Sequence, residues 1–80
     1  MSDAVVDATG LSCPLPVLKA RKRLLTMQPG ERLTLIATDP AAKRDVPAFC
    51  EAAGHEVVEL VEAPDGPLVF TLARGLDPSP

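Results

Sequence analysis

The alternation of apolar and polar residues predicts a strand, a helix and a second strand in the first half of the chain. Ala4 to Ala8 is a short, mainly apolar run that is typical of a buried strand. The alternating, β-branched run from Glu31 to Thr38 predicts a second strand. The run from Pro14 to about Gln28 predicts a helix that is stopped by Pro29-Gly30. A helix between two such strands indicates a right-handed βαβ unit with parallel strands.

The second half of the chain predicts another helix and then two strands joined by a turn. We expect a short turn from Pro40 to Lys43, after which the helix begins with Asp45 as its cap and Pro47 in its first turn. This helix continues to about Ala53 and ends at Gly54. The remaining predicted segments are the strands His55 to Glu62 and Leu68 to Arg74, and the turn Ala63 to Pro67.

The element order β-α-β-α-β-β predicts an α/β fold, an α+β two-layer sandwich with both helices on one face of a four-stranded sheet. We expect one domain over residues 1–75 and a flexible tail over residues 76–80. The chain has no apolar run long enough to cross a bilayer, and its first residues lack the basic region of a signal peptide. A soluble, cytoplasmic protein is therefore expected.

Charge and aromatic content argue against nucleic acid as a direct partner. The formal net charge is −3, whereas nucleic-acid-binding domains normally carry a basic surplus. The chain has no Trp and no Tyr, and its two Phe residues offer little for base stacking. Its two cysteines do not make a secreted disulfide framework, so each is judged by its own surroundings.

Cys13 is the candidate reactive residue, because two prolines place it at the start of a helix. Proline is tolerated in a helix only in the first turn, so Cys13-Pro14-Leu15-Pro16 predicts a helix that opens at Pro14. The positive end of a helix favours an anion, and we therefore expect the Cys13 thiol to ionise more readily than an ordinary cysteine. Gly10 and the two residues after it predict a flexible, exposed loop that shapes the site.

Cys50 and His55 have structural interpretations. Cys50 lies in the second predicted helix beside apolar residues, which favours a core position. The alternative is a resolving thiol that forms a disulfide with Cys13. The spacing of His55 and the two cysteines matches no zinc pattern, so we expect no metal site.

The first predicted helix carries a basic face. Lys19, Lys22 and Arg23 fall at helical spacing on one side, either as ordinary solvated surface or as a docking patch for an acidic partner. Arg21 falls on the apolar side, where its stem should be buried and its head should find an acid. The residues expected to face the sheet are Val17, Ala20, Leu24 and Met27.

Three segments together resemble the TusA (SirA-like) sulfur-carrier family. Asp7 to Pro16 resembles the opening signature of the family, with Cys13-Pro14-Leu15-Pro16 at its end. Met27 to Glu31 resembles its junction between helix and strand, and Thr38 to Cys50 resembles its second-helix block. The likeness covers nearly the whole chain in order.

The resemblance implies a mixed sheet with strand order 1-2-4-3, like that of the C-terminal domain of translation initiation factor 3. It implies that Cys13 accepts sulfur as a persulfide from a cysteine desulfurase or rhodanese and passes it to an acceptor protein. Family members serve tRNA 2-thiouridine formation, molybdenum cofactor maturation or sulfur oxidation. We therefore expect a carrier more than an autonomous catalyst, a monomer, and no cofactor besides the covalent persulfide.

The resemblance also maps Arg21 and Asp39 onto positions linked to partner binding, although Asp39 also fits a helix cap. Leu15 occupies a position where the member known for tRNA thiolation has an acidic residue, so this position bears on the choice of partner. One alternative is a redox-sensing regulatory or interaction domain that uses Cys13. Another is an RNA-binding module, which the acidic charge balance argues against.

Overall fold

The computed structural model describes residues 4–75 and contains the six predicted elements in the predicted order. The predicted tail, residues 76–80, lies outside the described residues. The strands and helices are β1 (Ala4–Ala8), α1 (Leu15–Leu24), β2 (Arg32–Ala37), α2 (Ala42–Ala53), β3 (Glu56–Glu62) and β4 (Leu68–Ala73).

The four strands form one mixed sheet in the order β1-β2-β4-β3, as the family resemblance implied. β1 and β2 are parallel, and the other two pairs are antiparallel. Ala8 at the end of β1 pairs with Ala37 at the end of β2. Because both strands end at the same edge of the sheet, the loops that lead into α1 and α2 leave it side by side.

The core lies between the sheet and the two helices, which pack on one face. Alternate residues of β1 and β2 are buried on this face, as period-two alternation predicts. The residues of the first predicted helix that were expected to face the sheet are confirmed, since Ala20, Leu24 and Met27 are buried and Val17 packs against the core. The largest fully buried side chains are Phe70, Leu24, Leu33, Leu35, Leu72, Val46 and Cys50.

α1 is shorter at both ends than the sequence predicted. It begins at Leu15, with Pro14 at the N-cap position, and ends at Leu24 rather than near Gln28. The Thr26 side chain donates a hydrogen bond to the Arg23 carbonyl at 2.7 Å, and the following backbone bonds close tighter, three-residue turns. This change of winding ends the helix before Pro29.

α2 begins at Ala42, so the prediction of a separate turn followed by a helix capped by Asp45 was wrong. The Asp39 carboxylate accepts the Ala41 N–H at 3.0 Å, and the Ala42 N–H donates to the Asp39 carbonyl. The expected turn therefore continues directly into the helix, with Asp45 inside its first turn. Pro47 lies within the helix, where its missing N–H removes one backbone hydrogen bond.

Between residues 4 and 75, neither helix has the length and apolar character needed to span a membrane.

Candidate functional site

The loop between β1 and α1 is largely exposed, as expected, and two of its backbone N–H groups bond to residues that follow β2. Gly10 has a φ of 81°, a left-handed conformation that glycine adopts without strain. Its N–H donates to the Thr38 hydroxyl at 2.9 Å. The Cys13 N–H donates to an Asp39 carboxylate oxygen at 2.7 Å. Thr38 and Asp39 follow β2, so the loop after the second strand accepts hydrogen bonds from the loop that carries the cysteine.

The Cys13 thiol donates a hydrogen bond to the Asp45 carboxylate, with 2.6 Å between Sγ and Oδ2. This bond raises the pKa of Cys13 above its ordinary value, and desolvation and the charges of Asp45 and Asp39 act in the same direction. Arg44 opposes them weakly by its positive charge. The expectation of an acidified thiol was therefore wrong for the protein on its own.

The start of α1 explains why the helix does not acidify the thiol. Pro14 and Pro16 have no N–H to offer. The Leu15 N–H donates to the Ser12 carbonyl at 2.9 Å, and the Cys13 N–H is already bonded to Asp39. The N–H groups of Cys13 and Leu15 are therefore engaged and those of two first-turn positions are missing, while two carboxylates lie close to the sulfur.

The two carboxylates at the site are held in their ionised forms. The Ala41 and Cys13 N–H groups lower the pKa of Asp39. The Cys13 thiol and, more weakly, the Arg44 side chain lower the pKa of Asp45. Hence the resting site holds a protonated thiol beside two carboxylates. The thiol donates its hydrogen bond to Asp45.

The first turns of α1, which follow the thiol in the chain, present two leucines to solvent. Leu15 is 46% exposed and Leu18 is 50% exposed, and both belong to the first turns of α1. Pro16, by contrast, is buried against the core side of the helix. An exposed thiol flanked by exposed leucines is an open site, in which a second protein can cover the sulfur.

The basic face of α1 lines a groove beside β1. Lys19, Lys22 and Arg23 line this groove, whose volume is about 340 Å³, together with Val6 and Thr26. Arg21 lies elsewhere on the helix and is exposed. It forms no ion pair among the residues from 4 to 75, so the expectation that it would be buried beside an acid was wrong.

Cys50 and His55 have structural roles. Cys50 is 1% exposed, which confirms the core interpretation, and burial raises its pKa to about 11. Both cysteines are free thiols. The His55 ring contacts Phe49 and accepts the Gly75 N–H at 2.9 Å. Within the described range, no cluster of His, Cys, Asp and Glu side chains is arranged to hold a metal ion.

Asp45 is the residue at the site that sequence reasoning missed, because it was interpreted as a helix cap. A topological signal was available: the predicted parallel β1 and β2 must end at one edge, so the loops that follow them meet there. Cys13 must therefore lie near the beginning of α2. Which carboxylate reaches the sulfur depends on the residue at which α2 begins.

A family model described as sulfurtransferase TusA matches residues 4–74, which includes the whole site and nearly all of the described chain. The chain belongs to the TusA family. Its relatives include the sulfur carrier protein TusA of Pseudomonas aeruginosa strain PAO1, 50% identical over 60 residues, which are 75% of this chain and 76% of that protein. A putative sulfur carrier protein of Neisseria meningitidis serogroup A is 49% identical over 72 residues, 90% of this chain and 93% of that protein.

Among solved structures, a SirA-like protein from Desulfitobacterium hafniense has the same fold. Its TM-score is 0.79 at 26% sequence identity, and the match covers 90% of this chain and 97% of that one. Membership of the TusA family confirms the resemblance. The family indicates a sulfur-carrier role, with partners in a sulfur relay.

Proposed function

We propose that this protein relays sulfur as a persulfide on Cys13, from a cysteine desulfurase or rhodanese to an acceptor protein. The observation that carries the proposal is the exposed Cys13 thiol, held where the loops after β1 and β2 meet. Its backbone is fixed by Asp39 and its thiol by Asp45. Cys50, the other free cysteine, is buried and leaves Cys13 as the accessible sulfur.

In the loading step, Cys13 attacks the terminal sulfur of the donor's persulfide anion. A bond forms between Sγ and that sulfur while the donor's S–S bond breaks. The thiol proton passes to the donor sulfur, which leaves as a thiol. Until the donor is in place, the Asp45 carboxylate accepts the hydrogen bond of the thiol and keeps the thiol protonated and oriented. The carboxylate does not take up the proton, because the pKa of Asp45 is lowered.

In the discharge step, an acceptor thiol attacks the terminal sulfur of the Cys13 persulfide. The acceptor gains the sulfur as a persulfide anion, and its proton returns to Cys13. A perthiol is a stronger acid than a thiol, so the loaded form is anionic beside the carboxylates of Asp45 and Asp39. Repulsion between these charges favours release of the sulfur, while the same carboxylates favour the protonated empty thiol.

The partner proteins complete the site. Leu15 and Leu18 supply apolar contact next to the sulfur, and Lys19, Lys22 and Arg21 supply positive charge along α1. Asp39 acts through the position of the Cys13 backbone. The relay needs no cofactor besides the covalent persulfide, takes place in the cytoplasm, and serves an acceptor that suits Leu15, where the member known for tRNA thiolation carries an acid.

Intact-mass measurement after sulfur loading tests the proposal. The reduced protein is incubated with a cysteine desulfurase and cysteine, or with a rhodanese and thiosulfate. We expect a gain of one sulfur atom that a reductant removes. This gain should be lost in Cys13→Ser and kept in Cys50→Ala, which retains a small apolar side chain in the core.

Circular dichroism of both variants shows whether each is folded, so that a lost gain in Cys13→Ser can be assigned to the sulfur. A mass gain that survives Cys13→Ser, or no gain with either class of donor, contradicts the proposal. Formation of a Cys13–Cys50 disulfide in place of a persulfide would support the redox-sensing alternative.

A further inference from the structure

The sheet has two edge strands, β1 and β3, and β3 carries the stronger protection within its own sequence against pairing with another strand. β3 has a register shift between Val57 and Glu59. It also carries three exposed glutamates, Glu56, Glu59 and Glu62. Bulges and charged side chains are the means by which edge strands avoid added strands. β1 has no register shift along its pairing with β2, and Asp7 is its one charged residue.

The outer side of β1 carries backbone groups that face away from β2, and an added strand would take the place of Lys19 at one of them. The Lys19 ammonium lies 3.4 Å from the Asp7 carbonyl oxygen, so this carbonyl is directed away from β2. Backbone N–H and C=O directions alternate along a strand, and those of Val5 therefore point to the same side. Val5 is 65% exposed, and its side chain lies on the face of the sheet opposite the helices.

The groove beside this edge is positively charged. Its lining includes Lys19, Lys22 and Arg23, and none of the three pairs with an acidic side chain in the described part of the chain. Lys19 and Arg23 are four residues apart, about 6 Å along the helix axis. Side chains on one face of an extended strand repeat about every 7 Å, so alternate carboxylates match this spacing.

We infer that an acidic segment of a relay partner adds to the sheet as an extended strand along β1, with alternate carboxylates on Lys19, Lys22 and Arg23. This docking mode rests on the proposed function in one respect, namely that the partner is a relay protein. It does not involve Cys13. A polypeptide is favoured over a phosphate polymer because it supplies both the donors and the acceptors that the outer groups of Val5 and Asp7 require.

The test uses the full chain labelled with ¹⁵N and a soluble peptide of alternating valine and glutamate. We expect saturable binding in which hydrogen exchange of the Val5 and Asp7 amides slows. The double variant Lys19→Glu/Lys22→Glu should bind at least about tenfold more weakly. Arg32→Glu, a charge reversal at another exposed position, should leave the affinity unchanged.

A second pair of variants isolates the backbone contribution. Val5→Pro removes the outward N–H without changing the charge, and proline is tolerated on an edge strand. It should abolish peptide binding, whereas Val5→Thr, which keeps the N–H, should not. The amide spectrum of Val5→Pro reports whether the remaining sheet is intact. If that sheet is lost, the test of strand addition relies on amide exchange and on the charge-reversal variant, because both leave the backbone of β1 unaltered.

Three outcomes would overturn the inference: no added protection at Val5 and Asp7, equal binding of an oligothymidylate, or pairing of β1 with β3 of a second copy in place of the peptide. Cys13→Ser should bind the peptide as the parent does. A failure of strand addition is therefore distinguishable from a failure of sulfur loading.

Discussion

At the scale of single residues, the bond between Cys13 and Asp45 determines how the thiol behaves. The cysteine is exposed, so solvent access does not limit its reactivity. Its raised pKa comes first from the hydrogen bond to Asp45 and then from desolvation and the nearby negative charges. Reactivity of the free protein is therefore limited by protonation, and a partner that changes the surroundings of Asp45 changes it directly.

Replacing Asp45 by Asn should make Cys13 more reactive. The neutral amide removes the charge that stabilises the protonated thiol, so the pKa of Cys13 should fall. The alkylation rate with iodoacetamide, followed against pH in Cys50→Ala protein, should rise several-fold at neutral pH and reach its midpoint at lower pH. Glu51→Gln, another carboxylate of α2, is the control and should leave the midpoint unchanged. An unchanged midpoint in Asp45→Asn would contradict this role.

At the scale of elements, the stability of α2 depends on hydrogen bonds that cap its two ends. Asp39 accepts the Ala41 N–H before the first turn. At the other end, Gly54 has a φ of 85°, and its N–H donates to the Cys50 carbonyl. A left-handed residue after the last turn satisfies carbonyls that the helix itself leaves unpaired.

Gly54→Ala should destabilise the protein by about 1 kcal/mol, because a side chain disfavours the left-handed conformation. Gly54→Asn should cost less, since asparagine adopts this conformation more readily. Urea unfolding followed by circular dichroism measures both variants. Equal losses of stability would point to crowding at this position rather than to its backbone conformation.

The sequence predicted all six elements because their apolar periodicity and turn residues agree. It misplaced the start of α2 because Asp39 and Asp45 are both acceptable caps, and the choice depends on the hydrogen bond from Cys13 to Asp39. It also predicted a buried stem for Arg21 from the helical angle alone, whereas Arg21 is exposed. A contact between distant segments accounts for the first case.

At the scale of the whole molecule, Arg74 connects the end of β4 to the end of α1. It is 7% exposed, and its Nε donates to the Leu24 carbonyl at 2.9 Å. A second donor, Nη1, reaches the Gly75 carbonyl at 2.7 Å. Its backbone pairs with Gly30 and Glu31 in the segment that enters β2. One side chain thus satisfies a C-terminal carbonyl of α1 from the end of β4, one of the two inner strands of the sheet.

Arg74→Met should lower the free energy of unfolding by about 2 kcal/mol, because the Leu24 carbonyl loses its charged donor in a buried position. Chemical denaturation measures the loss. Arg32→Met, at an exposed position, is the matched control and should change stability by less than about 0.5 kcal/mol. Similar effects in the two variants would show that the buried contacts of Arg74 contribute little.

The proton on Cys13 has a further consequence for the empty protein. Peroxides attack the thiolate form of cysteine, and oxidation beyond the sulfenic acid is irreversible for most proteins. An accessible cysteine is normally exposed to this damage, yet here the carboxylate of Asp45 keeps the sulfur in its less oxidisable form. Chemical protection thus replaces burial, and the sulfur stays both reachable by a large protein and slow to be destroyed by a small oxidant.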